Sequence, residues 1–303
     1  MQIPHIPVLP DEIVELYSDI KGAIIDCTVG YGGHSELLLQ SNPNITLICN
    51  DQDDEALEFS KKRLEPYKER VTFIKGRFSK VFEQIEDTSN IRGILADIGV
   101  SSLQLDKTER GFGFNSPTLD MRMDPDQPLS AKEVINTYSL EELERIFREY
   151  GEVREYKKMA SQILKRRKEK KFESAKELSE FIASFSYKSK INPATLAFQA
   201  IRIEVNSELD EIQNLLDNIK KQNLHQCLVG VVSFHSLEDR IVKNSFKEWS
   251  KNCICDSSVF RCECGNNHAI GKILTKKPIL PKQEEISKNK RSRSSKLRAF
   301  YIS

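Results

Sequence analysis

Residues 24–27, 45–49, 71–74 and 93–96 are four short, mostly apolar runs rich in Ile, Val and Leu, spaced through the first hundred residues. They read as strands covered on both faces, because a half-exposed strand would alternate apolar with polar residues. The stretches between them, such as 54–64, carry apolar residues at helical spacing. A chain that alternates buried strands with helices has few solutions. Right-handed crossovers lay the strands parallel, in a doubly wound α/β sheet with helices on both faces.

That rhythm breaks after Ala96-Asp97. From about 105 to 204 the pattern is helical. Ser139-Leu140-Glu141-Glu142 and Ser174-Ala175-Lys176-Glu177 fit capping boxes, Gly151 can end the first of these helices, and Asn192-Pro193 supplies an N-cap with proline at N1. The strand signal returns at 227–233 and, more weakly, at 272–275 and 297–302. Residues 1–105 and 205–303 therefore read as two parts of one α/β domain, with 106–204 as an inserted all-helical domain. A chain of 303 residues has ample length for this, since single cores stop growing at about 250–300 residues.

Met1-Gln2-Ile3-Pro4-His5 lacks a basic segment followed by an apolar run, and no window approaches the ~18 apolar residues of a membrane span. The chain reads as cytoplasmic, with no membrane partner. Of seven cysteines, Cys27, Cys49 and Cys227 fall inside strand-like runs, as small buried hydrophobes do in a reducing compartment, and disulfides are not expected. Net charge is +1 overall, yet residues 272–298 hold ten Lys and Arg against two Glu. Such a segment is either a phosphate-contacting surface or a solvated basic tail.

Asp26-Cys27-Thr28-Val29-Gly30-Tyr31-Gly32-Gly33-His34-Ser35 is a strand end, a glycine-rich turn and a helix start, the place where an open α/β sheet binds ligands. By itself such a turn is weak evidence. Asp51, about 20 residues after the glycines and just past the second strand, sharpens it, because a carboxylate there can accept hydrogen bonds from ribose hydroxyls. Its alternative role is an N-cap, which Asp53 or Asp54 could fill as well. Phe78, after the third strand, is placed either to pack on adenine or to join the core. The third glycine of a nicotinamide loop is replaced by Ser35, and Asp26 would repel a pyrophosphate while suiting an ammonium. Charge sign thus favours S-adenosylmethionine over a dinucleotide.

The fourth strand ends at Asp97, where a carboxylate faces both cofactor and substrate. As a catalytic group it would draw a proton from a poorly nucleophilic amine; otherwise it only positions the methionine end of the cofactor. His235, after the strand at 227–233, either contacts a flipped-out base or its phosphate or is a satisfied structural histidine. Arg110, Asp120, Arg122, Arg202 and Asn206 either shape a target pocket or form a polar network that joins the two domains.

His5-Ile6-Pro7-Val8-Leu9, the glycine-loop segment 26–35, Asp97-Ile98-Gly99-Val100-Ser101-Ser102, Arg110-Gly111-Phe112, Leu119-Asp120-Met121-Arg122-Met123-Asp124, Val205-Asn206-Ser207-Glu208-Leu209 and Ser233-Phe234-His235-Ser236-Leu237-Glu238-Asp239-Arg240 together resemble the MraW/RsmH family nearly end to end. These are bacterial 16S ribosomal RNA (cytosine-N4) methyltransferases. The resemblance implies a class I S-adenosylmethionine methyltransferase fold, Rossmann-like, with a seven-stranded, mostly parallel sheet and an inserted helical substrate domain. It implies methylation of a cytosine in the decoding centre of 16S rRNA, within the small ribosomal subunit. Cofactor contacts carried over by motif are Gly32, Gly33, His34, Asp51, Phe78, Asp97 and Gln104. No obligate protein partner is implied, and a homodimer is compatible with it.

Asn289-Lys290-Arg291-Ser292-Arg293-Ser294-Ser295-Lys296 offers guanidinium and hydroxyl groups for RNA phosphates. The basic run 165–171 reads as a solvated helix end. Cys253-Ile254-Cys255 and Cys262-Glu263-Cys264, with His268 nearby, contain four thiols. Their spacing departs from the usual zinc pattern, so free thiols or loop packing are the expectation and no metal is assigned.

Overall fold

The computed structural model describes residues 6–185, 192–256, 258–259 and 261–303. His5 of the first motif, and residues 186–191 of the helical stretch, lie outside these, as do the side chains of Ser102 and Leu103. The chain divides into two compact units, Met1–Gly99 with Leu209–Ser303, and Val100–Glu208. The strand-poor unit interrupts the other in sequence, with a division a few residues earlier and later than the helical pattern alone suggests.

Among the described residues of the first unit, seven strands form one sheet in the order β3-β2-β1-β4-β5-β7-β6. They are β1 (Gly22–Asp26), β2 (Ile45–Asp51), β3 (Val71–Lys75), β4 (Ile91–Asp97), β5 (Cys227–Ser233), β6 (Gly271–Ile273) and β7 (Lys296–Ile302). The first five run parallel, and β7 inserts antiparallel between β5 and β6. This is the seven-stranded, mixed α/β sheet of the S-adenosylmethionine methyltransferase fold. Helix α1 (Pro10–Leu16) precedes β1, α2 (Gly33–Ser41) and α3 (Asp54–Arg63) link the first three strands, α10 (Glu208–Lys221) and α11 (Ser236–Trp249) flank β5, and α12 (Gln283–Lys288) precedes β7. Two apolar clusters cover the two faces, one around Ile25, Ile94, Leu216 and Phe246, the other around Ile24, Leu38, Leu47 and Leu95. Consecutive residues of β1 and β4 thus enter opposite cores, as buried parallel strands require.

Tyr17 is fully buried, and its hydroxyl donates to the Ile94 carbonyl at 2.5 Å. Two glycines on neighbouring strands admit the ring. A Cβ on Gly93 would lie 3.0 Å from Tyr17 Cε1, and one on Gly230 would lie 2.6 Å from the Tyr17 hydroxyl. Gly230→Ala is therefore expected to destabilise the chain by about 1–3 kcal/mol, the usual range for overpacking a dense core. Urea unfolding measures this, and an unchanged midpoint would show that the ring can yield.

The second unit contains α4 (Ser102–Asp106), α5 (Ala131–Thr137), α6 (Leu140–Glu149), α7 (Tyr156–Glu169), α8 (Ala175–Phe185) and α9 (Pro193–Asn206) around its own core of residues such as Leu143, Phe147, Ile163, Leu178 and Ile201. Ser139 and Glu142 form the expected capping box, and Asn192 caps α9 with Pro193 at its first turn. At Ser174 only half a box forms, with the Glu177 amide donating to the serine hydroxyl at 3.1 Å.

The run 165–171 is not simply solvated. Arg167 donates to the carbonyls of Ile135 and Tyr138, and Arg166 pairs with Glu177 at 2.7 Å. Arg167 fastens the end of α7 to α5, because carbonyls in the last turn of a helix have no partner within it, and Arg166 fastens it to α8.

Candidate active site

β1 ends at Asp26 and α2 begins at Gly33, so residues 27–32 form the turn at the carboxyl edge. β1 and β4 are adjacent, and their onward connections lead to opposite ends of the sheet. Open α/β sheets bind ligands at such a point. Gly30 and Gly32 have φ of 49° and 72°, left-handed values that glycine adopts at little cost. That path directs the Gly30 amide to Asp51 Oδ2 at 2.9 Å, while the Asp53 amide donates to Asp51 Oδ1 at 3.0 Å. Each oxygen of Asp51 thus accepts one backbone amide and keeps further acceptor capacity. Asp53, rather than Asp51, caps α3, accepting the Glu55 amide at 3.1 Å.

Ser35 stands where a dinucleotide loop would place its third glycine. Its hydroxyl donates to Asp26 Oδ2 at 2.6 Å, and the Thr28 amide donates to Asp26 Oδ1 at 3.2 Å. Burial pushes the Asp26 carboxyl up to about 6, against the pull of these two bonds. Burial likewise raises Asp51 to about 6, with the charges of Asp53 and Asp26 adding to it.

Asp97 ends β4, and its amide donates to the Thr28 hydroxyl at 2.9 Å, locking the strand to the glycine turn. Its Oδ2 lies 3.7 Å from His34 Nδ1, and its Oδ1 is buried without a protein partner. Burial, then the negative charges of Asp26 and Glu238, push the Asp97 carboxyl up to about 8. Near neutral pH it holds a proton until a positive charge arrives beside it.

His34 Nε2 lies 2.7 Å from the Val8 carbonyl. A carbonyl only accepts, so Nε2 carries the hydrogen and Nδ1 presents its lone pair toward Asp97. Burial lowers the imidazole to about 4, and it stays neutral. A Cβ on Gly33 would lie 3.3 Å from Pro7 Cδ. The structure thus commits Gly33 and one nitrogen of His34 to holding Pro7-Val8 against the start of α2. Leu9 follows with its amide donating to Glu285 Oε1 at 2.9 Å.

Phe78 opens a 3₁₀ turn after β3 and is half-buried against the cluster containing Ile74 and Val81. His235 caps α11, its Nδ1 facing the Glu238 amide at 3.5 Å. Glu238, fully buried, accepts the Phe234 amide at 2.7 Å, and its Oε1 lies 3.0 Å from His235 Nε2. A histidine in the position usually held by Ser or Asp hid this capping pair from the sequence, although Glu238 stands at the right spacing. Asn50 was also passed over. Its side-chain amide donates to the carbonyls of Cys27 and Gly76, both at 3.0 Å, tying three strand ends together.

In the helical unit Gln104 is buried in α4, and its Oε1 accepts the Ser101 amide at 3.1 Å while its own amide donates to the Ser101 hydroxyl. Arg110 donates to the carbonyls of Arg122 and Met123, Arg122 pairs twice with Asp120, and Arg202 pairs twice with Glu208. Asn206 bridges Met121 and Met123. All five are members of one unit's polar network.

At the carboxyl edge of the sheet, then, Asp26, Asp51 and Asp97 are raised by burial, and the charges that act on Asp51 and Asp97 are negative. Such a crevice repels pyrophosphate and suits a cationic ligand. The unpartnered Asp97 Oδ1 is a polar group that folding alone leaves uncompensated.

The sequence model described as the MraW methylase family matches residues 2–303. A protein of Aliarcobacter butzleri named ribosomal RNA small subunit methyltransferase H is 63% identical over 301 residues, covering 99% of each chain. Proteins of the same name from Sulfurimonas denitrificans and Campylobacter curvus are 57% identical over 303 residues and 55% identical over 305 residues; the first alignment covers 98% of both chains, the second 100% of this chain and 99% of the other.

Proposed function

The chain belongs to the MraW methylase family, and from that premise we propose that it transfers a methyl group from S-adenosylmethionine to the exocyclic N4 of a cytosine in the decoding centre of 16S rRNA, with the small ribosomal subunit as substrate. The observation that carries the donor assignment is the gathering of three carboxyl groups, Asp26, Asp51 and Asp97, at the carboxyl ends of β1, β2 and β4, with one oxygen of Asp97 unpartnered. The acceptor class rests on the end-to-end identity with relatives named for small-subunit ribosomal RNA. Among the described residues no helix is long and apolar enough to cross a membrane.

S-adenosylmethionine supplies an electrophilic methyl group on a positively charged sulfur. Asp51, fixed by two backbone amides, accepts hydrogen bonds from the ribose hydroxyls. Phe78 offers its exposed side to the adenine. Gly30 and Gly32 let the backbone pass close to the ligand. Asp97 has two tasks in sequence. It first loses its proton as the positive charge of the donor arrives, and it then accepts the proton that N4 gives up on taking the methyl group. An amine whose lone pair is delocalised into a ring needs that acceptor, and a base with a pKa near the working pH serves best. Lys288, Lys290 and Arg293 are exposed near the C-terminus and contact RNA phosphates. Ser292 and Ser295 do not join them, because their hydroxyls are spent on the carbonyls of Asn289 and Ser292.

Incubating unmethylated small subunits with the enzyme and labelled S-adenosylmethionine, followed by nucleoside mass spectrometry, tests donor, acceptor atom and substrate together. Label recovered in N4-methylcytidine is the expected result; label in another nucleoside, or none, overturns the reading. For the ribose contact, Asp51→Ala is expected to raise the donor KM by about 10- to 100-fold, the loss of one hydrogen bond to a charged acceptor. Small-subunit binding, followed by filter retention, stays unchanged. An unaltered KM would remove Asp51 from the ribose site.

A further inference from the structure

Residues 250–270 join the end of α11 to β6, a connection longer than compact domains ordinarily leave without regular structure. The loop is closed at its base by backbone bonds from Ile270 to Trp249 and from His268 to Asn252. Among its described residues, Ile254 is 56% exposed and Val259 38%. It contains four cysteines. Their sequence spacing pointed to free thiols, but the fold sets the four Sγ atoms of Cys253, Cys255, Cys262 and Cys264 within 4.8 Å of one another. Sγ of Cys264 is 3.5 Å from that of Cys262 and 3.8 Å from that of Cys253. These separations are far too long for S–S bonds, which measure about 2.05 Å. They match the ~3.8 Å edge of a tetrahedron of sulfurs around zinc at ~2.3 Å.

The backbone around the thiols is arranged for thiolates. The Ile254 amide, just after Cys253, donates to Sγ of Cys264 at 3.4 Å; the Glu263 amide, just after Cys262, donates to Sγ of Cys255 at 3.3 Å. Each Cys-x-Cys turn thus supports a sulfur of the other, as the outer contacts of metal-thiolate sites do. The turn after Cys264 is made by Gly265 and Asn266 at φ of 86° and 55°. His268 Nε2 lies 2.7 Å from the Cys264 carbonyl, so this ring braces the turn and the sulfurs alone complete four-coordination. The three other cysteines are buried, Cys49 in β2, Cys227 in β5 and Cys27 just past the end of β1.

We propose that Cys253, Cys255, Cys262 and Cys264 bind one structural zinc ion as a tetrathiolate, and that this ion holds residues 250–270 folded between α11 and β6. Binding exchanges four thiol protons for one divalent cation, leaving a site of net charge −2 and releasing the protons to solvent. The cluster lies outside the methyl-transfer crevice as assigned above, and its role is independent of that assignment.

The test uses the full chain, purified under reducing conditions without a metal-affinity step. Elemental analysis is expected to find about one zinc per chain, and the Cys253→Ser, Cys264→Ser double variant at least tenfold less. Replacing zinc by cobalt(II) is expected to give the intense visible bands and sulfur-to-metal charge transfer of tetrahedral thiolate ligation; this reading needs no variant, so a double variant that fails to fold leaves the proposal testable. Absence of bound zinc after incubation with an excess of the ion, cobalt bands lacking thiolate character, or full zinc retention by a folded double variant would each overturn it.

Discussion

Asp97→Asn is expected to lower turnover by about 10² to 10⁴, the range that general-base removal ordinarily produces, while the chain stays folded. Asparagine fills nearly the same volume, and its side chain cannot take up the proton that N4 must lose. If Asp97 served only to position the donor, the variant would instead raise KM and leave kcat within a few-fold of the parent. Single-turnover transfer of labelled methyl groups to small subunits, at saturating donor, separates these outcomes. A near-parental rate would remove Asp97 from the chemistry.

Stability gives an independent reading of the same residue. The carboxyl is raised from its ordinary value to about 8 in the folded chain, so its contribution is fully present below the unfolded pKa, near 4, and is lost as pH rises through 8. Asparagine has no such titration. The melting temperature of the ligand-free variant should therefore fall less than the parent's between pH 6 and pH 9. His34 titrates near 4 and is neutral throughout that window.

The sheet was legible because its central strands β1, β4 and β5 are buried on both faces, which makes their apolar runs continuous, and β5 (Cys227–Ser233) coincides with the predicted run. Strands β2 and β4 extend past their apolar stretches to Asp51 and Asp97, since backbone pairing continues where side chains turn polar for the site. Placement of Asp97 and Asp51 at strand ends followed from the same logic. Which nitrogen of His34 is spent, and on what, did not. Val8 is distant in sequence from the glycine turn, and nothing local reveals that a carbonyl there needs a donor. The meeting of the two cysteine pairs was hidden for a related reason, because spacing within a pair says little about two turns that come together across a loop. His235, which the sequence left as either a base contact or a satisfied structural histidine, caps α11, a position where local pattern rules anticipate Ser, Thr, Asp or Asn.

Affinity for S-adenosylmethionine should depend on pH with a sign fixed by the crevice. The donor's positive charge favours ionised Asp97, so below its pKa each bound donor displaces part of a proton. Affinity is expected to tighten by about tenfold per pH unit at most as pH rises from 6 toward 7.5. Asp26 and Asp51, raised to about 6, steepen the acid end of that limb. Above this range the donor's own α-ammonium, titrating at about 7.7–8.0 in model compounds, loses its charge, and the curve turns over. Titration calorimetry in buffers of different ionisation enthalpy should detect the displaced proton near pH 7. In Asp97→Asn the rising limb should flatten between pH 6.5 and 7.5, while the descending limb, which belongs to the donor, should persist. A parent affinity that weakens from pH 6 to 7.5, or a rising limb unchanged in the variant, would mean that the donor's positive charge does not sit beside Asp97.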